Sequence, residues 1–438
     1  MYVETAQSTV KDQLTLTFKN RRRNAGVWLG LCCLLAVIAY LPVLNNGFIA
    51  DDYVILKRVE ILKTQASYLY QIPPENFRAV SYVIFGVLKT LAGYRAWPFY
   101  AFNIGLHLTN IILLFRLLPI VLDDERTARL AVLLFAVFQA PQEAVMWLAA
   151  MNETTLVLFT LLTLLAWFHK HYVLAAIAYS CALFSKESAI IIPLLVALLD
   201  LYKTKPLVWK NYGFLSIPTA GFIAIFLWTR TDNFMLTNAS YVFGPHAILV
   251  LGNSLHRLLW PWFYIILLLV WMKRHELPSL LRIGVYLGAV VVTMLPYMFI
   301  AYQTSLPSRQ LYLASAVLMT IFAVLLKPLR ETLLANIVVV AFIGFNIGYL
   351  WFRKDGQFEQ RAAPTTQLIN SLRQHHPQRT LIKNFAYPYR EIATAAALAV
   401  PGWEPGLVSV EGGNPHCTHC LLLEWNSQDQ HYEAAEIP

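Results

Sequence analysis

Long apolar runs recur along this chain of 438 residues, and they constrain its fold more than any other feature. Several approach the roughly 20 residues that an α-helix needs to cross a bilayer. Hydrophobic residues make up 58% of the chain and charged residues only 13%, well below the charged share of a soluble domain. The sequence therefore predicts an all-α polytopic membrane protein. We expect about eleven transmembrane helices, at residues 27–44, 98–122, 129–141, 152–168, 172–185, 188–202, 212–229, 257–273, 280–301, 310–327 and 332–352.

Basic clusters between the apolar runs predict the orientation. The segment 1–26 is polar and ends in "KNRRRNAG", which favours a cytoplasmic N-terminus. The run that follows it is too long for a signal peptide and is expected to be a retained helix. Successive spans cross the membrane in alternating directions. With the N-terminus inside, this predicts that the other basic clusters lie in the cytoplasm and the C-terminus lies outside. Because these clusters account for the net charge of +9, the charge does not indicate nucleic-acid binding.

Three further regions are expected outside the membrane spans. Residues 79–94 and 246–260 are typical of amphipathic helices on the outer surface, although either could be a span instead. After residue 352 the composition changes, and residues 353–438 predict a small extracytoplasmic α/β domain. Its expected helices are "TTQLINSLRQHH" and "REIATAAALAV", and its expected strands are "TLIKNFA", "GLVSV" and "CLLLEWN".

Apart from the cytoplasmic basic clusters, several single charged residues flanked by apolar sequence are expected at one membrane face, the outer one. A carboxylate at a partly desolvated boundary can act as a general base. Arg and Lys beside it can bind a phosphate, Arg through paired hydrogen bonds and Lys as a point charge. The outer side receives Asp51 and Asp52 in the first outer loop (45–97), Glu143 in the second, Lys186 and Glu187 in the third, and Arg309 in a later one.

Polar residues also occur inside the predicted span 98–122. Asn103, His107 and Asn110 share one helix face because they lie four and three residues apart. Polar side chains within a membrane face the protein interior or a cavity. These residues therefore indicate either interhelical hydrogen bonds or part of a site.

Six motifs occur in the order seen in a known superfamily. They are "GFIADDYVIL", "FRAVSYVIFGVL", "PFYAFNIGLHLTNIILLF", "QEAVMWLA", "FSKESAIIIPLL" and "SRQLYLAS". Together they resemble the GT-C membrane glycosyltransferases, and most of all the bacterial protein-mannosyltransferase relatives and the transmembrane, tetratricopeptide-bearing O-mannosyltransferases. The resemblance covers roughly residues 27–325. It implies the GT-C fold, an extracytoplasmic active site and a polyprenyl-phosphate-linked sugar donor.

The resemblance also implies roles for individual residues. Asp51 would be the catalytic base and Asp52 its partner, and the acceptor would be a protein or a glycan hydroxyl. Relatives differ in their need for metal, so a divalent cation (Mg or Mn) on Asp51 and Asp52 stays open. The donor phosphate would be bound by Arg309, Lys186 and Arg78, and the further site residues would be Glu143, Glu187, His107 and Tyr312.

The chain departs from the family pattern in several places. Relatives carry a His-Pro pair before the position of Glu143, where this chain has "FQAP", and an Arg and an Asp where it has Met151 and Glu153. A His near the start of the second span is replaced by Tyr100. The tetratricopeptide repeats are absent, and a small C-terminal domain takes their place. This favours a protein of the bacterial inner membrane, with that domain in the periplasm.

Other classes of protein would show different features in the sequence. A transporter or lipid flippase would carry charges near span centres and an internal repeat, and a non-catalytic assembly or lipid-binding protein would not need Asp51. Cys417 and Cys420 form "HCTHC", which allows a disulfide, two free thiols or a zinc site.

Overall fold

The computed structural model describes residues 24–67, 78–203, 205–229, 239–272, 280–404, 407–410 and 420–437. It is mostly helical, with a small sheet near the C-terminus. The expected cytoplasmic segment 1–26 lies almost wholly outside these residues. The predicted membrane character is confirmed, because the described part contains six helices long and apolar enough to cross a bilayer: Asn24–Asn45, Trp97–Leu122, Leu148–Phe168, Trp209–Trp228, Ser308–Leu329 and Leu333–His375.

The N-terminal half of the bundle consists of helices joined by short connections. The first of them, Asn24–Asn45 (α1), ends in a 3-10 turn at Leu41–Asn45. The next are α2 Asp51–Thr64, α3 Ala79–Ala92, α4 Trp97–Leu122, α5 Glu125–Val137, α6 Glu143–Met146, α7 Met151–Phe168, α8 Tyr172–Ser185, α9 Ile192–Tyr202 and α10 Trp209–Thr229.

The second half continues in the same way. Its helices are α11 His246–Leu259, α12 Phe263–Met272, α13 Leu280–Met294, α14 Tyr312–Leu326, α15 Leu333–Tyr349 and α16 Asp355–His375. Both stretches expected as surface helices are helical, as α3 and α11. Five other predicted spans fall on helices outside these six, and fewer than 18 helical residues of each are described: α5, α8, α9, α12 and α13.

The bundle has two distinct ends, which the ends of α4 mark. This helix has 26 residues and is therefore roughly 39 Å long, enough to cross the hydrocarbon core of a bilayer. Beyond its C-terminus, Lys203 pairs with Asp123, and Lys327 pairs with Asp124 at 2.9 Å. We call this the Asp124 end. The opposite end, which carries the N-terminus of α2, is the Asp51 end.

The last membrane helix continues into the C-terminal region without a break. Residues 350–354 form a π-helical turn that joins α15 to α16, so the domain boundary expected at residue 353 falls inside a helix. The spacing of the buried residues explains why the helix continues beyond residue 354. The buried positions Phe358, Ala362, Thr365, Ile369 and Leu372 alternate in steps of four and three residues, which gives a single packed helix face.

The C-terminal sheet has the order β2-β1-β3-β4. Its strands are β1 Thr380–Lys383, β2 Val408–Val410, β3 Cys420–Asn426 and β4 His431–Ile437, with helix α17 Arg390–Ala397 after β1. The first strand pairs in parallel with β2 and β3, and β3 pairs antiparallel with β4. The sheet confirms the expected α/β character, but β4 was not predicted. Cys420 is disulfide-bonded, and Cys417 lies outside the described residues.

Candidate active site at the Asp51 end

The loop before α2 is held in an unusual conformation that positions Asp51. Ala50, the residue before the helix, has a φ of 41°, a left-handed value that is strained for a residue with a side chain. The carbonyl groups of Gly47 and Phe48 accept hydrogen bonds from Tyr100 (2.9 Å) and Thr365 (3.1 Å). These contacts tie the loop to α4 and α16, so the surrounding fold maintains the strain.

Gly47 lies at a close approach between the loop and α16. A Cβ atom at this position would lie 2.6 Å from the Thr366 hydroxyl oxygen, closer than van der Waals contact allows. The glycine of "NNGFIADD" therefore lets the last long helix pack directly on the loop that carries the acidic pair.

Asp52 is a structural anchor within the acidic pair. Its side chain is only 1% exposed. One carboxylate oxygen accepts the Ile49 N–H at 2.8 Å and the other accepts the Ala149 N–H at 2.7 Å. Burial raises the pKa of Asp52 to about 7, although both backbone donors oppose that shift. The residue thus joins the start of α2 to the 3-10 turn Leu148–Ala150.

Asp51 is the accessible member of the pair. Its side chain reaches the protein surface. The surrounding protein still removes enough water to raise the pKa of its carboxyl, while the positive charges of Arg309, Arg361 and Arg58 act in the opposite direction. A carboxylate that is reachable, raised in pKa and close to arginines has the properties expected of a general base.

Two arginines and one carboxylate form the centre of the site. Glu143 accepts from Arg309 at 3.4 Å and, on its other oxygen, from Arg361 at 3.2 Å. The two guanidinium groups also lie 4.8 and 4.6 Å from the centre of the Trp147 ring, within the range of cation–π attraction. We call Arg309 and Arg361 the arginine pair. With Glu143 it carries a net charge of about +1.

Arg361 is the residue that the sequence analysis missed. It belongs to α16, in the region expected to form a separate domain. Its backbone carbonyl accepts a hydrogen bond from Tyr387, which links the C-terminal region to the site. The repeat of buried residues along α16 was the signal that could have placed Arg361 on a helix continuous with the bundle.

Lys186 lies in a buried ion pair next to this centre. Its ammonium group contacts Glu153, and the side chains of the two residues are 5% and 3% exposed. The second oxygen of Glu153 accepts from the Tyr297 hydroxyl at 3.0 Å, and that hydroxyl also lies 2.6 Å from the hydroxyl of Ser188. Glu153 therefore neutralises the lysine that was expected to bind phosphate.

Arg78 and Glu187 form a second ion pair. Arg78 donates two hydrogen bonds to the carboxylate of Glu187, at 3.1 and 2.8 Å. This two-point geometry is the strong form of the arginine–carboxylate interaction. It fastens α3, whose residue Ser81 also donates to the carbonyl of Ser185. Both predicted residues are thus at the Asp51 end, paired with one another.

The segment 143–153 connects these groups. It supplies Glu143 and Trp147 to the arginine pair, the Ala149 N–H to Asp52 and Glu153 to Lys186. The expected convergence of outer-loop charges is therefore present in the structure. Most of these charges are neutralised in specific pairs that the sequence did not predict. Asp51 lies within electrostatic range of the arginine pair.

His107 and Tyr312 lie deeper, between helices. The Nε2 atom of His107 is 3.1 Å from the Ala136 carbonyl oxygen, which can only accept, so the imidazole Nδ1 accepts from Tyr312 at 2.6 Å. Asn110 donates to the same Tyr312 hydroxyl at 3.3 Å. All three side chains are buried. This is the interhelical hydrogen bonding that the sequence left open as one interpretation.

The acidic pair does not fit a divalent cation. Both oxygens of Asp52 already accept backbone N–H groups, and the charges that act on Asp51 come from arginines. Within the described ranges, no group of three or more His, Cys, Asp or Glu residues could hold a metal ion. We therefore derive no chemical step through a metal.

No known protein-family model matches this chain, and no curated protein matches its sequence. The resemblance to GT-C enzymes therefore depends on the motifs quoted above.

Proposed function

We propose that this chain is a membrane glycosyltransferase of the GT-C type. It moves one sugar from a polyprenyl-phosphate donor to an acceptor hydroxyl on the periplasmic side of the bacterial inner membrane. The observation that carries the proposal is the accessible Asp51 carboxylate, which lies within electrostatic range of the arginine pair at one end of an apolar helical bundle. A base beside a cationic centre at a membrane surface suits transfer from a lipid phosphate.

In the proposed reaction, Asp51 accepts the proton of the acceptor hydroxyl. The hydroxyl oxygen forms a bond to the anomeric carbon as the bond from that carbon to the phosphate oxygen breaks. The electron pair leaves with the polyprenyl phosphate. Attack opposite the leaving group inverts the anomeric centre.

The arginine pair stabilises the charge of the departing phosphate. The guanidinium groups are held by Glu143 and Trp147, so little reorganisation is needed when the charge develops. Lys186 and Arg78 have a different role in this proposal, because each is already paired with a carboxylate. They fix the segments around the site.

The membrane topology belongs to the proposal as well. In the proposed topology, the six long helices and α5, α8, α9, α12 and α13 are eleven spans. The basic residues before α1 favour a cytoplasmic N-terminus, and an odd number of spans then leads to a periplasmic C-terminal sheet. The acceptor is either a Ser or Thr of a secreted protein such as a pilin, or a lipid-linked glycan.

Replacing Asp51 with Asn tests the proposal. In membranes of a matched strain we expect the transfer rate to fall by about 100-fold or more, the usual contribution of a general base. Glu60→Gln is the matched control, because Glu60 is an exposed acid on the same helix whose partner is Lys63. Wild-type transfer by Asp51→Asn at normal expression would contradict the proposal.

A transporter or lipid flippase is the competing class. It would retain lipid translocation in the Asp51→Asn variant and would show no sugar transfer in the wild type. The buried ion pair of Lys186 and Glu153 lies beside the anchor of Asp52 at one end of the bundle, which is not the mid-membrane position that a transport site uses.

A further inference from the structure

A basic pocket and an apolar cavity adjoin at the Asp124 end of the bundle. The basic pocket has a volume of about 490 Å³, and its charged lining residues are Asp124, Lys327, Arg330 and Glu331. The apolar cavity, of about 100 Å³, lies between α4, α7, α9, α13 and α14. We propose that the two spaces together bind an anionic phospholipid of the bilayer, with its phosphate in the basic pocket and one acyl chain in the apolar cavity.

The charge of the basic pocket favours a phosphate diester. The Asp124 carboxylate lies 2.9 Å from the Lys327 ammonium group and 3.7 Å from the Arg330 guanidinium group. The Glu331 carboxylate lies 3.5 Å from Arg330 and 3.3 Å from Arg126. Three cations therefore share two carboxylates, which leaves a net charge of about +1. The single negative charge of a phosphate diester neutralises it, and basic pockets between membrane helices are known to bind such headgroups.

The cations of the basic pocket can be reached by a ligand. The side chains of Lys327 and Arg330 are 51% and 39% exposed. Two further ion pairs at this end are neutral and leave the charge balance unchanged: Arg129–Glu125 and Lys203–Asp123.

The apolar cavity suits a hydrocarbon chain. Its wall consists mostly of leucine and valine side chains, and the hydroxyl of its Thr320 donates to the Ala316 carbonyl within the same helix. A cavity that offers water no polar partners stays dry and accepts apolar ligands. Its lining extends along α14 from Leu313 to Thr320, roughly 10 Å. The cavity is therefore elongated along the helix, as an acyl chain would be.

Two tyrosines join the basic pocket to the apolar cavity. Tyr202 and Tyr286 line both spaces, and their hydroxyl groups are 2.9 Å apart. Tyrosine is the residue expected where an apolar region meets a polar one at a membrane surface. The adjacent Leu201 and Leu287 are 45% and 58% exposed, as expected for a surface in contact with lipid. A phospholipid can thus reach the basic pocket from the bilayer, with its second chain remaining there.

Native mass spectrometry of the full chain with dioleoyl-phosphatidylglycerol tests the headgroup assignment. We expect Lys327→Gln to raise the Kd by about tenfold, because one charge-assisted contact is lost. Arg330→Gln is a second variant with the same expectation, in case Lys327→Gln does not fold. Lys170→Gln is the matched control, since Lys170 is an exposed cation between α7 and α8 that lines neither space. Wild-type affinity in both pocket variants would overturn the proposal.

A bulkier side chain in the apolar cavity tests the position of the acyl chain. Ala316 lines the cavity from α14 and Ala289 from α13. We expect Ala316→Leu and Ala289→Leu each to raise the Kd by about tenfold, because the added atoms occupy the space of the chain. Unchanged binding in a folded variant of either kind would remove the cavity from the site.

Comparison of ligands on the unmodified chain identifies the lipid. Dioleoyl-phosphatidylcholine has the same chains but no net charge and should bind about tenfold more weakly or worse. Glycerophosphoglycerol, the headgroup without chains, should bind about 100-fold more weakly or worse. Equal binding of phosphatidylcholine would overturn the anionic part of the proposal, and equal binding of glycerophosphoglycerol would overturn the lipid part. The assay contains no sugar donor or acceptor, so its result is independent of the proposed function.

Discussion

Arg361 donates a hydrogen bond to Glu143 at 3.2 Å, across 218 residues of sequence. Arg309 occupies the other oxygen of the same carboxylate. The helix that leaves the membrane for the C-terminal sheet therefore completes the candidate active site. In this arrangement the C-terminal region does more than follow the transmembrane part, because it supplies one of the arginines whose charge acts on Asp51.

The contribution of Arg361 can be measured by replacing it with Ala. We expect the transfer rate to fall by about 10- to 100-fold, since removal of one preorganised charge from such a site costs up to a few kcal/mol. Arg361→Lys should recover only part of the rate, because an ammonium group lacks the planar contact with Trp147. The Arg353→Ala control, one exposed charge on the same helix, should behave as wild type. Full activity of Arg361→Ala would remove this residue from the site.

The ion pair of Lys186 and Glu153 gives a second prediction. Lys186→Met or Glu153→Gln alone leaves one buried charge unpaired and should destabilise the protein by about 3–5 kcal/mol. The double variant removes both charges and should recover most of that loss. Thermal unfolding in detergent measures all three. A stable Lys186→Met protein that has lost transfer would instead make Lys186 a substrate ligand.

Several members of the site could be found from sequence because each charge interrupts apolar sequence. Asp51, Glu143 and Arg309 stand out in this way, and alternation of the spans brings them to the same end. Which of these charges form ion pairs with one another could not be predicted from the sequence. Lys186 pairs with Glu153 across 33 residues, and only the packing of α7 against α8 determines that contact.

The differences between the expected and the observed C-terminal region have physical causes. The change in composition after residue 352 suggested a new domain. The last membrane helix nevertheless continues through this point into α16, because α16 has a buried face that packs on the protein. The strand His431–Ile437 was missed because most of its side chains are exposed, so it lacks the alternation of a half-buried strand. It lies at the edge of the sheet, where charged residues are common.

The buried carboxyl of Asp52 predicts a dependence of stability on pH. Its pKa is raised from 3.8 to about 7 in the folded protein, so the folded state binds a proton more tightly than the unfolded state. The stabilisation is therefore complete below about pH 4 and is lost as the pH rises through 7, by up to about 1.4 kcal/mol per pH unit between these two values. It changes no further once the folded state has also lost the proton. Asp52→Asn cannot lose this proton, so its melting temperature should fall less between pH 5 and 8 than that of the wild type. Equal slopes would show that Asp52 does not titrate in this range.

The two ends of α4 allow a test of sidedness. Arg95 precedes this helix at the Asp51 end, and Arg126, whose side chain is 71% exposed, follows it at the Asp124 end. After Cys32, Cys33 and Cys181 are changed to Ala, a membrane-impermeant maleimide should label Arg95→Cys in intact spheroplasts. It should label Arg126→Cys only after permeabilisation, because roughly 39 Å of helix separates the two sites. Labelling of both cysteines from outside would mean that α4 does not cross the membrane. Labelling of Arg126→Cys alone would place Asp51 on the cytoplasmic side, away from a periplasmic acceptor.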